Sequence, residues 1–546
     1  MIDEKELASP KEIAKGTAFS LAGTMVFKLF SFLYIIYIAR AVSQGDIGLF
    51  WLALGIVGLI GAWRDIGLPA ALTRYVPFYE SKKQAGKILG LLYSSYIVTI
   101  ATGLLLTALM WLGAEHIGAF YQNPQLADAI RLISSFMLLE TVFRVNVSYL
   151  QGRADIKSMQ LSTNIQNVLR FAITVLFFQV YGVSLFTLIA AFLSSYLIAI
   201  LVSAIFVHRK VTDLPKSKAT LSANELISEI APFGLMLSAL QLLWTISSYA
   251  DRVILGYLIP PLEASSAVAI YSMAAALAIN IMVFPGAVGS IFMPVISRMF
   301  GKNDLDSMRK TMGTAQRWVL LLTIPVAIVM VAFSGEMIST FYGSAYSPGS
   351  MVMAIMVLGL LCSAFVYAIM LTLAGMRLVK LELKVALIAG ISNVVLDFLL
   401  IPYFGIEGAA AAFAISLSIS AILFSHYGWK VIKFRTPPGI YRLFAAGAIT
   451  LVAVLLLKPA FAYAATQLPA IQIQGLQQYF AKILYLALLG VVSLLSSIVF
   501  AALAIAFKCF EEQDATLAKK FCKKARIPKF AAKLIETALL KGVANK

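Results

Sequence analysis

The chain is poor in the residues on which most catalytic and secreted-protein chemistry rests. Its 546 residues include three cysteines, three histidines and only 13% charged side chains. A soluble protein of ordinary composition carries about a quarter charged residues. Cys362 lies in an apolar run, Cys509 and Cys522 lie near the C-terminus, and there is no CxxC pair. Neither a disulfide framework nor a metal site is therefore expected. His116, His208 and His426 stand apart and no HExxH occurs, so no cofactor is expected either. The absence of a GxxxxGK[ST] phosphate loop argues against a nucleotide-hydrolysing motor in this chain. The connections between apolar runs are short and hold no acid-rich loop of the size a membrane glycosyltransferase or polymerase needs. The expectation is a protein that is not an enzyme. Asn146 begins an "NVS" sequon, but it sits inside an apolar run and is set aside.

What the chain has in quantity is hydrocarbon: 60% hydrophobic residues and a mean hydropathy of +0.88. About 20 apolar residues cross a bilayer core as a helix. Such runs fall near 17–39, 47–67, 86–112, 128–150, 159–180, 184–207, 229–258, 266–292, 316–334, 350–374, 382–402, 407–429, 441–464 and 483–507. The expected fold is an all-α polytopic membrane protein of about fourteen transmembrane helices. The opening "MIDEKELASPKEIAKG" precedes an apolar run that lacks a small-residue cleavage site, and it reads as a cytoplasmic tail.

The connections test that count, because loops on the cytoplasmic side carry the excess of lysine and arginine. With an inner N-terminus, the inner connections hold Arg74, Lys82, Lys83 and Lys87, then Arg153 and Lys157, then Arg209, Lys210, Lys216 and Lys218. Later ones hold Arg298, Lys302, Arg309, Lys310 and Arg317, then Arg377, Lys380 and Lys384, then Lys430, Lys433, Arg435 and Arg442. The outer connections hold Arg40, Lys458 and Lys482. One missed helix would invert every later loop, so a plasma-membrane protein with both termini cytoplasmic is expected. The same bias accounts for the net charge of +18 without nucleic acid. Residues 508–546, with "AKKFCKKARIPKFAAKLIETALLK", read as a basic amphipathic tail on the anionic inner leaflet. A solvated tail is the equal alternative.

The chain repeats itself at an offset near 223. "YLQGRADIKSMQL" around Gly152 aligns with "TLAGMRLVKLELK" around Gly375, and Gly182 falls on Gly405. "NVLRF" at Asn167 meets "NVVLDF" at Asn393 if small insertions are allowed. The expected domains are two six-helix halves, 1–223 and 224–435, then two further helices in 436–507 and the tail 508–546. An even number of spans per half makes the repeat parallel, as in transporters that bind substrate between two halves and rock about it.

Charges inside the spans are the functional candidates, since each costs about 2.5–3.5 kcal/mol at a helix centre and such residues face the bundle interior or water. The basic set is Lys28, Arg64, Arg144, Arg170 and Arg252; the acidic set is Asp65, Glu140, Asp251 and Asp397. Arg131 reads as interfacial. Lys28 lies opposite Asp251 in the repeat, and Arg170 lies close to Asp397. Two readings stand side by side. In one, Lys28–Asp251, Glu140–Arg144 and Arg64–Asp65 are neutralising pairs that allow helices to pack. In the other, the set lines a hydrated, net-cationic site for an anionic headgroup, with arginine suited to phosphate geometry.

Three stretches carry a family resemblance. "IARAVSQGDIGLFWLALGIVGLIGAWRDIGLPAALTRYV" has Gly48, Phe50, Asp65, Gly67, Leu68, Arg74 and Tyr75 in the spacing of the Wzx-type oligosaccharide flippases. "YADRVILGYL" with "AIYSMAAALA", and "NVVLDFLLIPYFGIEGAAAAFAIS", resemble later helices of that family through Asp251, Arg252, Gly256, Tyr271, Asn393, Asp397, Pro402, Gly405 and Gly408. The resemblance covers roughly residues 10–435; the last two helices match in number alone. It implies the multidrug/oligosaccharidyl-lipid/polysaccharide exporter fold, with two lobes forming a V around a central cavity. It also implies alternating-access transfer of a glycan linked to a polyprenyl or dolichyl pyrophosphate. Lys28, Arg64, Arg144, Arg170 and Arg252 would then meet phosphate or acidic sugar. Asp251 and Asp397 depart from a purely basic cavity and would couple an ion or pair with the cations. Expected partners are the lipid-linked glycan, membrane lipids and a glycan polymerase or ligase, with the chain itself monomeric. Three rivals remain: a cation-coupled multidrug exporter, a flippase for the peptidoglycan precursor, and a non-transporting scaffold for glycan-synthesis enzymes.

Overall fold

A computed structural model describes residues 10–64, 67–376, 378–466, 477–511, 514–516 and 529–543. The N-terminal residues 1–9, Asp65 and the basic run 517–528 lie outside the described residues. Those described are mostly helical, and the only β-type pairing among them is one bridge between Phe510 and Val543. Twelve of the helices are long and apolar enough to cross a membrane. The fourteen expected spans differ from this twelve at two places. The helix Val379–Ile432 runs 54 residues and bends at Gly405, so it contains two of the expected spans. The expected span 128–150 is interrupted at Ser134, and its longer piece carries Glu140 and Arg144.

The chain forms two compact units, Met1–Met273 and Ala274–Lys546. The first contains α1 (Pro10–Ala41), α2 (Gln44–Gly61), α3 (Leu68–Ser81) and α4 (Ala85–Phe120). It continues through α5 (Pro124–Ile133), α6 (Ser135–Gly152), α7 (Ile156–Tyr181), α8 (Leu185–Thr212), α9 (Ala231–Leu258) and the first part of α10 (Pro261–Ala278). Short polar side chains begin these helices by accepting otherwise unpaired backbone N–H groups. Ser43 accepts from Asp46, Asp155 from Ser158 and Ser184 from Thr187, each at 3.1 Å. Gly67 precedes α3 with φ 77°, a left-handed conformation glycine adopts without strain. One core gathers Leu72, Val76, Ile88, Leu91, Tyr149 and Val207 from α3, α4, α6 and α8. Lipid tails are as apolar as these side chains, so close packing and buried polar contacts hold the helices together. Tyr96 on α4 donates to Asn146 on α6, and Asn146 donates to Ser203 on α8 at 2.7 Å.

The second unit contains α11 (Val283–Gly301), α12 (Leu305–Ala332), α13 (Ser334–Tyr342), α14 (Gly349–Gly375), α15 (Val379–Ile432), α16 (Pro438–Thr466), α17 (Gln477–Ala506) and α18 (Lys529–Lys541). Its core places Leu320, Ile324 and Phe333 of α12 and its end against Leu443 and Phe461 of α16 and Phe500 of α17. The two helices beyond the repeats therefore share a core with α12. At one end of this packing Lys458 meets Glu336 at 2.9 Å. At the other, Arg317 is 1% exposed and binds Asp514 at 3.0 Å and Glu511 at 2.5 Å, while Trp318 donates to Asp514 at 3.0 Å.

The repeat offset is visible in helix boundaries. α6 ends at Gly152 and α14 at Gly375; α7 begins at Ile156 and α15 at Val379. Gly182 and Gly405 both adopt positive φ, at 80° and 56°. No insertion separates these landmarks, so Arg170 stands level with Asn393. Asp397 falls level with Thr174, one helical turn further on. The alignment of "NVLRF" with "NVVLDF" is displaced by that turn.

Candidate functional site

The membrane-embedded charges of the first unit form three clusters, each with a different neutralising chemistry. The first gathers at the end of α2. There the backbone tightens, with Trp63 donating to Ile60 O and Arg64 to Gly61 O. The Arg64 carbonyl accepts from Thr102 of α4 at 2.7 Å. This turn leaves Trp63 exposed and sends Arg64 inward, where its side chain is 5% exposed. Its guanidinium forms an ion pair with Glu140 of α6 and lies 6.0 Å from the Phe136 ring centre. Gly61 admits it: a Cβ there would stand 2.6 Å from its Nη1. The pair joins α2 to α6, whereas the sequence pairings considered above were Arg64 with Asp65 and Glu140 with Arg144. Arg144, one turn beyond Glu140 on the same helix, is half-buried.

The second cluster joins α1 and α7. Arg170 Nη2 donates to Asn167 Oδ1 at 2.8 Å and to Ser31 Oγ at 3.2 Å, and its guanidinium lies 4.5 Å from the Tyr34 ring centre. Lys28 precedes Ser31 by three residues, placing it on the same face of α1, where it is exposed. These partners are neutral. Arg170 therefore keeps its net charge.

The third cluster sits where α9 meets α2 and α10. Asp251 is 4% exposed and accepts from the hydroxyl of Tyr271. The next residue, Arg252, donates to Ser272 Oγ at 3.0 Å and to the Ser248 carbonyl at 2.8 Å. Its guanidinium stands 5.1 Å from the Trp51 ring centre and 5.9 Å from that of Tyr249. Such cation–π contacts favour the charge without cancelling it.

Across the first unit the described charges of the candidate set are five basic and two acidic: Lys28, Arg64, Arg144, Arg170 and Arg252 against Glu140 and Asp251. Asp65 lies outside the described residues. The remaining candidate, Asp397, belongs to the second unit, where it is 0% exposed on α15 one turn after the buried Asn393. Sequence reasoning missed the residues that hold the arginines, namely Ser31, Tyr34, Trp51, Tyr249 and Ser272. Ser31 was within reach, since it lies three residues from Lys28 on the same helical face. The others come from helices far apart in the chain and leave no local signal. Among the described residues no group of three or more His, Cys, Asp or Glu side chains is placed to hold a metal.

A family model described as "Polysaccharide biosynthesis protein" matches residues 13–300, and a second, "MatE", matches residues 237–399. An uncharacterized membrane protein of Methanocaldococcus jannaschii is 22% identical over 417 residues, covering 73% of this chain and 80% of that protein. A protein of Shigella flexneri described as a candidate O-antigen transporter is 19% identical over 422 residues, covering 75% and 96%. Among solved structures, the lipid II flippase MurJ in an inward closed conformation superposes with a TM-score of 0.66 at 17% identity. That match covers 89% of this chain and 98% of that one. At this identity the likeness is one of fold.

Proposed function

Because the chain belongs to the polysaccharide biosynthesis protein family, we propose that it carries a lipid-linked glycan across the membrane by alternating access. The substrate in this reading is an oligosaccharide on a polyprenyl pyrophosphate, moved from the inner to the outer leaflet of the plasma membrane, with both termini cytoplasmic. The single observation that carries the reading is the excess of basic over acidic side chains among the described candidate residues of the first unit's embedded helices. Two of the five, Arg170 and Arg252, are held by neutral hydroxyls, an amide, a carbonyl and aromatic rings. A doubly charged pyrophosphate crossing hydrocarbon needs positive charge that is positioned but not already spent on a carboxylate. Arg170 and Arg252 fit that requirement, and Lys28 and Arg144 are candidates for further contacts with the substrate. Arg64 is bound to Glu140 and serves by holding α2 to α6. The halves 1–223 and 224–435 would be the rocking bodies, the chain acts as a monomer without enzymatic activity, and a glycan polymerase or ligase would take up the product.

The MatE match and the buried acids Asp251 and Asp397 favour a second reading, export of organic cations coupled to an ion. The two readings separate in one experiment. Proteoliposomes containing the protein are given a fluorescent undecaprenyl-pyrophosphate oligosaccharide, and its movement between leaflets is followed for wild type and Arg170→Ala. Protein-dependent movement that is lost in the variant supports the flippase and its cationic site. Movement kept in the variant retains the flippase and reduces Arg170 to packing. No movement, together with export of an organic cation, selects the second reading.

A further inference from the structure

Beyond its bend at Gly405, α15 presents one exposed stripe whose character changes along its length. Ile415 is 42% exposed and Ile422 69%; the stripe continues through His426 and Trp429, the latter 45% exposed, to Lys430 and Lys433. Steps of three, four and seven residues keep these side chains on one side of a helix. From Ile415 to Lys433 the stripe covers about five turns, or about 27 Å at the helical rise, close to the hydrocarbon thickness of a bilayer. Exposed isoleucines within a span suit acyl chains, an indole suits the headgroup level, and lysines reach beyond it. The stripe therefore follows the order of a phospholipid from tail to headgroup.

The basic end of the stripe is held in shape, and its lysines are not spent on acids. α15 closes at Lys433, which has φ 57°; its N–H donates to Trp429 O at 2.9 Å, and the N–H of Phe434 donates to Gly428 O at 3.3 Å. This turn buries Phe434 and leaves Lys433 exposed, with Nζ 4.9 Å from the Trp429 ring centre. The His426 ring lies 6.5 Å from the same indole. A helix's carbonyl end attracts cations by itself, but here α12 serves it: Arg309 Nε donates to Ile432 O at 2.6 Å, while its Nη1 meets Asp306 at 2.5 Å. Among the described residues no carboxylate lies within ion-pair distance of Lys430 or Lys433, and a cation–π contact leaves the charge in place. The contrast is with α8, which ends the first sequence half as α15 ends the second. There Lys210 lies 3.4 Å from Asp155 and 3.9 Å from Asp213.

We propose that this end of α15 is a binding site for one anionic glycerophospholipid, in the inner leaflet under the orientation proposed above. Lys430 and Lys433 meet the phosphate, Trp429 lies at the glycerol level, and Ile422 and Ile415 lie along an acyl chain. Basic residues near a membrane surface attract anionic lipid wherever they stand. What makes this a place for a single molecule is the indole beside Lys433 and the apolar stripe leading away from it on the same face. The site uses none of the residues assigned to the glycan carrier, so it stands or falls separately from the flippase reading.

The test titrates the full-length protein, stripped of lipid in detergent, with phosphatidylglycerol or with phosphatidylcholine of the same chains, and counts bound lipid by native mass spectrometry. Wild type is expected to hold one phosphatidylglycerol about tenfold more tightly than phosphatidylcholine. Lys430→Gln with Lys433→Gln should remove that preference. Lys302→Gln with Lys310→Gln, which takes the same charge from the α11–α12 connection and the start of α12, should keep it. No preference in wild type overturns the proposal, and so does an equal loss in both variants, which would reduce the effect to overall surface charge. A second measurement serves if the α15 variant fails to fold. Tryptophan quenching by brominated lipid is taken as the difference between wild type and Trp429→Phe. Brominated phosphatidylglycerol should quench the Trp429 fluorescence more strongly than brominated phosphatidylcholine at the same mole fraction, and equal quenching overturns the site. Undecaprenyl pyrophosphate as competitor decides the occupant. Relief of quenching at a lower concentration than unbrominated phosphatidylglycerol requires would give the site to the glycan carrier and overturn its assignment to phospholipid.

Discussion

Arg317 in the second unit and Arg170 in the first are both arginines on long apolar helices, and their surroundings differ in kind. Arg317 is enclosed by two carboxylates, one of them fully buried, and by a tryptophan that donates to the same Asp514. Arg170 is half-buried and meets a hydroxyl, an amide oxygen and an aromatic ring. Desolvating a cation costs several kcal/mol, which a carboxylate in good geometry offsets and a serine does not. The first arrangement is a closed structural clamp. The second leaves an electrostatic demand unmet by the protein, which an anionic substrate can meet. Burial alone would have ranked these residues in the opposite order of functional interest.

The contrast can be broken most severely at the clamp. Asp514→Ala should lower stability by about 3–5 kcal/mol by leaving Arg317 buried with only the half-exposed Glu511, read as a fall in thermal unfolding temperature in detergent. The double change Arg317→Met with Asp514→Leu should recover much of the loss, since apolar replacement of a whole buried pair is often neutral. A double variant no better than the single would mean that charge is not what holds the clamp. Next in size is Glu140→Gln, which strips the carboxylate from Arg64 and should cost about 2–3 kcal/mol, less than the clamp because Glu140 is 23% exposed. Denaturation in mixed micelles would check it.

Arg170→Ala sharpens the other side of the comparison. It should change stability by about 1 kcal/mol or less, while reducing flipping about tenfold or more, equivalent to about 1.4 kcal/mol. Arg170→Lys should restore only part of the rate, because the ammonium lacks the planar fork. Equal losses of stability and rate would place Arg170 with Arg317. The smallest expected effect is one of pH at the connection between the halves. Hydrogen bonding to Lys87, then to the Ser222 backbone, holds the Glu225 carboxyl below its ordinary value of 4.5. A depressed carboxylate contributes stability that is present above its unfolded pKa and is lost as pH falls through the folded one. Proteolysis within residues 213–222 should therefore quicken as the medium is taken below about pH 4.5, and Glu225→Gln should abolish that dependence. A variant with an unchanged acid profile would remove Glu225 from the account.

Much of the fold was legible because its evidence repeats along the chain. Apolar runs, basic connections and an offset near 223 are periodic signals, and Gly152, Gly182, Gly375 and Gly405 all fall on helix ends or bends. The span 128–150 was legible as apolar but not as interrupted, since Ser134 is an ordinary residue in any helix. The register of Asp397 was misplaced by a turn because a short motif match was allowed insertions that two helices of equal rise do not contain. The clamp was the least legible feature. Arg317 looked like one more basic residue in a connection, and its acids come almost two hundred residues later. The site residues divide in the same way. The charges announce themselves by being in hydrocarbon, while Trp51 and Tyr249, which orient Arg252, are aromatic residues in a chain that has many.

The order in which a ribosome makes these groups gives the clamp a second meaning. Arg317 leaves the exit tunnel 197 residues before Asp514 and 194 before Glu511. Through the synthesis of α13 to α17 the second unit contains a cation whose buried counter-charge does not yet exist. A chain cut short anywhere before Glu511 would remain in that condition permanently, carrying an unneutralised arginine that marks it as incomplete.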